Sequence, residues 1–160
     1  MILIGACLLL LFSFLIWKEY AAYLSRGTKE LREFIRFLEC MREKMGCYLE
    51  TPSEWIDGFT AEELERSGFL QRIKDGEDIF SAYTGCKESL CLCDDAVLIL
   101  DDMFSHLGNG YLDTETAIIK ASLDKLSKLE EVSKKDNENR TKAVGAVIGA
   151  VAIGIVILIL

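Results

Sequence analysis

The chain has 160 residues, about one domain's worth, with 18 basic and 26 acidic side chains and a net charge of −8. An acidic chain with no basic stripe excludes nucleic acid as an expected partner, because phosphate binding needs clustered Lys and Arg. The charge is unevenly placed: residues 1–17 and 143–160 carry none, so all of it lies in 18–142.

The first element is "MILIGACLLLLFSFLIW". At 1.5 Å per residue it is roughly 25 Å long as a helix, near the lower limit for crossing a hydrocarbon core. A cleaved signal peptide is the competing reading, and it needs basic residues ahead of the apolar run. Here they come after it, at Lys18, Arg26, Lys29, Arg32 and Arg36, so a retained transmembrane helix is expected. Lys134, Lys135, Arg140 and Lys142 likewise precede the closing apolar segment. Basic residues at span ends stay cytoplasmic, which predicts a cytoplasmic middle with both termini just reaching the far side.

From residue 29 to 49, Leu31, Phe34, Ile35, Leu38, Met41, Met45 and Tyr48 recur at helical spacing, with a possible break at residues 25–28. "TPSE" predicts a helix near 52–57, capped by Thr51 with Pro52 first and Glu54 closing the box. "TAEE" predicts another near 61–66, with Thr60 capping and Glu63 reaching back. Gly68 and Gly76 read as stops, and a further helix is expected near 78–84. "DDAVLILDDMFSHLG" places Val97, Leu98, Leu100, Met103, Phe104 and Leu107 on an apolar side, ended by Gly108. After the turn "GNGYLD", Asp113 is expected to cap a long helix with Ile119, Leu123, Leu126, Leu129 and Val132 inside. No Gly or Pro interrupts residues 112–144, so this helix is predicted to run into the second apolar segment unbroken.

That segment, residues 143–160, is the second expected transmembrane helix. Gly145 and Gly149 form a G-x-x-x-G, and Ala146, Ala150 and Gly154 continue the small residues at four-residue steps. Small side chains let helix backbones approach closely, so packing against the first span or a partner helix is expected. The fold class is all-α: a cytoplasmic helical bundle over 18–142, flanked by transmembrane helices at 1–17 and 143–160.

Catalytic and cofactor chemistry finds little footing. Cys86, Cys91 and Cys93 in "CKESLCLC" lack the paired knuckles that zinc favours, and buried thiols are the plainer reading. A metal- or redox-responsive protein using them with Cys47 is the alternative function. Asp102 and His106 share a helix face, without a nucleophile or second histidine to complete a site. Asp94 and Asp95 suit a helix N-terminus, Asp101 and Asp102 a solvated face, and no nucleotide-binding glycine loop exists. No catalytic, cofactor-binding or metal-binding residue is assigned, and the protein is expected not to be an enzyme.

The order of parts resembles the stage III sporulation protein AB family of endospore-forming bacteria. The resemblance spans nearly the whole chain. It rests on the terminal span, Thr51-Pro52 in "ETPSEW", the turn Leu107-Gly108…Asp113 in "SHLGNGYLD", and the Gly/Ala-rich closing span. The chain departs from the family at Leu112, where Ser is usual, and at Thr116 and Ala117, near a usual Gln. The resemblance implies a non-enzymatic subunit of a secretion-like complex joining mother cell and forespore. Its bundle would be similar to the cytoplasmic domain of platform proteins in type II secretion and type IV pilus machines. The implied partners are the complex's cytoplasmic ATPase, stage III sporulation protein AA, and other membrane subunits. The implied location is the cell membrane, with the bundle on the mother-cell side. Gly108, Asn109, Gly110, Tyr111 and Asp113 are the candidate partner contact, together with the acidic helix before them.

Overall fold

A computed structural model describes residues 2–45, 56, 58–107 and 111–159. Within helices, the side chains of residues 2–4, 6, 7, 9, 10, 156, 158 and 159 are outside the description. Six α-helices are described: α1 (Ile2–Met45), α2 (Glu62–Arg66), α3 (Phe69–Lys74), α4 (Ile79–Cys86), α5 (Asp94–His106) and α6 (Leu112–Ile159), with a 3₁₀ turn at Lys87–Ser89. No strand occurs among the described residues, so the fold is all-α.

The chain divides into two compact units, Arg26–Val132 and a second made of Met1–Ser25 with Ser133–Leu160. In the first, the expected stripe on α1 is buried at Leu31, Phe34, Ile35, Leu38 and Met41, and Phe37 joins it. Aromatic rings centre this core. Phe69 of α3 lies 5.2 Å from Phe34 and 5.1 Å from Phe37, and Tyr83 of α4 lies 4.9 Å from Phe104 of α5. Tilted and edge-on pairs of this kind add to plain burial, because ring edges and faces carry opposite partial charge. Ile119, Leu123 and Leu126 of α6 close the core.

Several expectations are corrected. Residues 25–28 do not break α1: Arg26, Gly27 and Thr28 are helical. Helix α3 was not expected; at six residues it is too short to declare a period. Leu98 and Val132, expected inside, are each 64% exposed. Asp113 lies in the first turn of α6 rather than before it. Thr60 does not cap α2; the N-cap is Ala61, which makes no side-chain cap. The predicted helix at 52–57 lies outside the described residues except for Ile56, which is fully buried. Gly68 and Gly76 do mark boundaries, with φ of +84° and +92° that suit glycine alone at low strain.

In the second unit, the two helix segments run antiparallel. The Trp17 indole donates to the Thr141 carbonyl at 3.2 Å, and the Asn137 amide donates to the Leu24 carbonyl at 3.1 Å. Among the described residues, no helix is long and apolar enough to cross a membrane.

Candidate interaction surface and the polar junction beneath it

Of the residues expected to meet a partner, Gly108, Asn109 and Gly110 lie outside the described residues. Tyr111 is 88% exposed, and Asp113 is exposed in the first turn of α6. The acidic helix α5 presents a fuller surface. Phe80 and Thr84 of α4 and Lys87 of the 3₁₀ turn form one wall of an open groove of about 450 Å³; Asp101, Asp102 and Ser105 of α5 form the other. Lys87 is paired with Asp101. Asp102 faces His106 at 3.7 Å, too long for a hydrogen bond, and both are largely exposed. The imidazole Nδ1 instead lies 2.6 Å from the Asp102 carbonyl. Asp94 and Asp95 occupy the first turn of α5, where the helix dipole favours negative charge.

A second polar assembly has no counterpart in the sequence expectations. Glu30 of α1 is fully buried. Its carboxylate accepts from the Cys91 backbone N–H at 2.5 Å and from Arg26 Nε at 2.9 Å. Arg26 also lies 3.5 Å from Glu63 of α2, which is paired with Arg66 at 2.9 Å. One turn along α1, Glu33 Oε2 accepts from the backbone N–H groups of Glu63 and Leu64, at 2.8 and 3.0 Å. These are orphan donors of the α2 N-terminus, so Glu33 supplies from across the bundle the cap that Thr60 does not. Burial pushes the Glu30 carboxyl above its ordinary value, against the opposing pull of the Cys91 N–H and Arg26. Gly27 fits beneath the Cys91 carbonyl, where a Cβ would collide with the oxygen. One sequence signal was available: Glu30 stands in line with Phe34, Phe37 and Met41 on the buried stripe.

The cysteines are dispersed in role. Cys86 is buried and donates to the Tyr83 carbonyl at 3.3 Å; burial pushes its thiol up to about 11. Burial also raises Cys91, while Cys93 is exposed. Among the described residues, no three His, Cys, Asp or Glu side chains are placed to hold a metal ion. Cys47 and the Cys7 side chain lie outside the description.

In the second unit, Gly145 lies against Trp17: a Cβ there would be 2.7 Å from the indole nitrogen. Gly149 has nothing within 4 Å of its Cβ position and lines a cavity of about 240 Å³ with Ser13, Phe14 and Ile148. Ala152 is buried, whereas Ala146, Ala150 and Gly154 face outward. The small residues thus divide between an inner and an outer side of the helix pair.

These features define an all-helical protein with an aromatic-cored bundle and an antiparallel apolar helix pair. The chain belongs to the stage III sporulation protein AB family, whose family model matches residues 2–160, which gives it a role in stage III of sporulation. No curated protein matches it, and no solved structure does.

Proposed function

We propose that the chain is a non-enzymatic platform subunit of the sporulation complex, anchored in the membrane by the apolar helix pair. Its bundle stands in the mother-cell cytoplasm and contacts the complex's ATPase, stage III sporulation protein AA, alongside other membrane subunits. The observation that carries the reading is the register of the helix pair. Trp17 ends the first charge-free segment, and its indole bonds Thr141, two residues before the second such segment begins. The two apolar stretches therefore start at one level, as a bilayer boundary requires. Trp17, Tyr20 and Tyr23 with Lys18 on one helix, and Arg140 and Lys142 on the other, are the residue types that favour that boundary. A bundle similar to the type II secretion and type IV pilus platform proteins, as the resemblance implies, would relay ATPase motion to the membrane.

The test is co-purification of the full-length chain with the ATPase in detergent and in nanodiscs, with Cys93 labelling in whole cells. A complex at micromolar concentration, with Cys93 labelled only after permeabilisation, is expected. No complex in either medium, or Cys93 labelling in intact cells by an impermeant reagent, would overturn the proposal.

A further inference from the structure

We propose that the groove between α4 and α5 is the docking site for a basic amphipathic segment of a partner protein. The inference rests on the platform reading only in requiring a protein partner. The groove joins an exposed apolar side chain to an acidic wall. Its α4 wall carries an apolar side chain, Phe80, which is 46% exposed beside Thr84. Leu98, one turn before Asp101 and Asp102 on the same face of α5, is 64% exposed. An apolar anchor from a partner would remove both from water. The surrounding charge then selects the partner's sign. Residues 79–106 hold five carboxylates and a single lysine, about half of the chain's net charge of −8. That lysine, Lys87, is engaged by Asp101, which leaves Asp102 in the groove, with Asp94 and Asp95 about two turns earlier on α5, to meet incoming cations.

The same charge argues against other occupants. Anionic lipid headgroups and nucleic acid are repelled. A second copy of this acidic chain would bring like charge to like. From Phe80 to Lys87 the groove runs about two helical turns, or roughly 10 Å, enough for one apolar anchor flanked by two or three Lys or Arg side chains.

The experiment places a benzophenone amino acid at Thr84, at Leu98 or, as a control away from the groove, at Glu62. Each variant of the full-length chain is expressed in its sporulating host and irradiated. Crosslinks from Thr84 and Leu98 but not Glu62 are expected, to a peptide carrying at least two basic residues. Asp102→Lys should lower the yield about tenfold, the scale of losing one interfacial charge pair and gaining a repulsion. Asp102 is exposed, so this variant should keep the parent helicity by circular dichroism. A crosslink to a second copy, to lipid or to a peptide without basic residues would overturn the proposal, as would no groove crosslink or no response to Asp102→Lys. If the basic peptide comes from a protein other than the ATPase, the groove stands, and the ATPase contact is decided by co-purification alone. If the ATPase co-purifies undiminished with Asp102→Lys while the groove crosslinks are lost, the groove stands with a partner other than the ATPase, and the platform reading stands beside it.

Discussion

Glu30 offers the sharpest test of the bundle, because a truncation and an isosteric substitution at this one position should behave very differently. Glu30→Ala removes the acceptor of the Cys91 N–H and leaves that donor unpartnered, which costs about 1–3 kcal/mol. It also leaves a void in the bundle; losing the one buried methylene adds about 0.8 kcal/mol. The lost pair with Arg26 adds little, since Arg26 is one-third exposed and well screened. The sum is about 3 kcal/mol, which for a unit of this size lowers Tm by about 10–20 °C. Glu30→Gln keeps an acceptor for Cys91 and removes a charge whose burial is unfavourable, so its cost at neutral pH is below about 1 kcal/mol. The pH dependence has a definite sign. Burial raises the folded-state pKa of Glu30 above its ordinary 4.5, so Glu30's favourable contribution is complete below 4.5 and declines as pH rises through the folded value. Relative to Glu30→Gln, the parent protein should therefore lose stability between acid and neutral pH. Thermal unfolding by circular dichroism in detergent gives the global effect, and hydrogen exchange at the Cys91 amide gives the local one. The reasoning is refuted if Glu30→Ala and Glu30→Gln unfold together. It is equally refuted if the parent gains on Glu30→Gln as pH rises, because Arg26 and Cys91 would then outweigh burial.

Gly27→Ala should destabilise by about 1–2 kcal/mol in the same melt: overpacking against the Cys91 carbonyl outweighs the roughly 1 kcal/mol that Ala gains over Gly inside a helix. Asp78 caps α4 by accepting from the Ser81 N–H, and hydrogen bonds from the Ser81 side chain and backbone lower its pKa, so its contribution is present above the unfolded value and lost as pH falls through the folded one; Asp78→Asn should flatten that acid limb. Iodoacetamide at pH 7.5 should modify Cys93 before Cys86 on peptide mass mapping, since a thiol pushed from 9.0 to about 11 holds about a hundredfold less thiolate. Gly145→Ala should displace the Trp17 indole and red-shift its fluorescence in a Trp55→Phe background, whereas Gly149→Ala, with open space at its Cβ, should leave it unchanged.

The long elements were legible because a stripe sustained over several turns leaves few alternatives. Leu31, Phe34, Leu38 and Met41 announce α1, and Ile119, Leu123 and Leu126 announce the inner face of α6. The same reasoning overreached at Leu98 and Val132, since helical spacing says which residues share a side but not how far the neighbouring elements extend over it. Gly68 and Gly76 were legible as boundaries because each needs positive φ. Helix α3 was not, because Phe69, Leu70 and Ile73 are too few to separate a short helix from a buried loop. Of the candidate contact, only Tyr111 and Asp113 fall within the described residues. The groove between α4 and α5 was only half visible: Asp101 and Asp102 stood out, whereas the approach of Phe80 and Thr84 to them depends on how α4 turns back through residues 87–93.

The polar junction was illegible for a different physical reason. Capping rules look for a side chain within three residues of the backbone groups it serves. Neither Ala61 before α2 nor Cys93 before α5 offers a side-chain cap. At α2 the acceptor comes from thirty residues away, on α1; beside α5, Glu30 serves the Cys91 N–H instead. The arginines are secondary, because Arg26 and Arg66 are each partly exposed while the carboxylates they meet are buried. Replacing a buried ion pair by apolar groups is often harmless, but no apolar group can accept from the N–H groups of Cys91, Glu63 and Leu64. The buried Glu30 and the half-buried Glu33 therefore serve chiefly to satisfy backbone donors that lack a local side-chain acceptor. This fixes where α2 and the Cys91 loop rest along α1 in a way that apolar packing alone would leave free to slide.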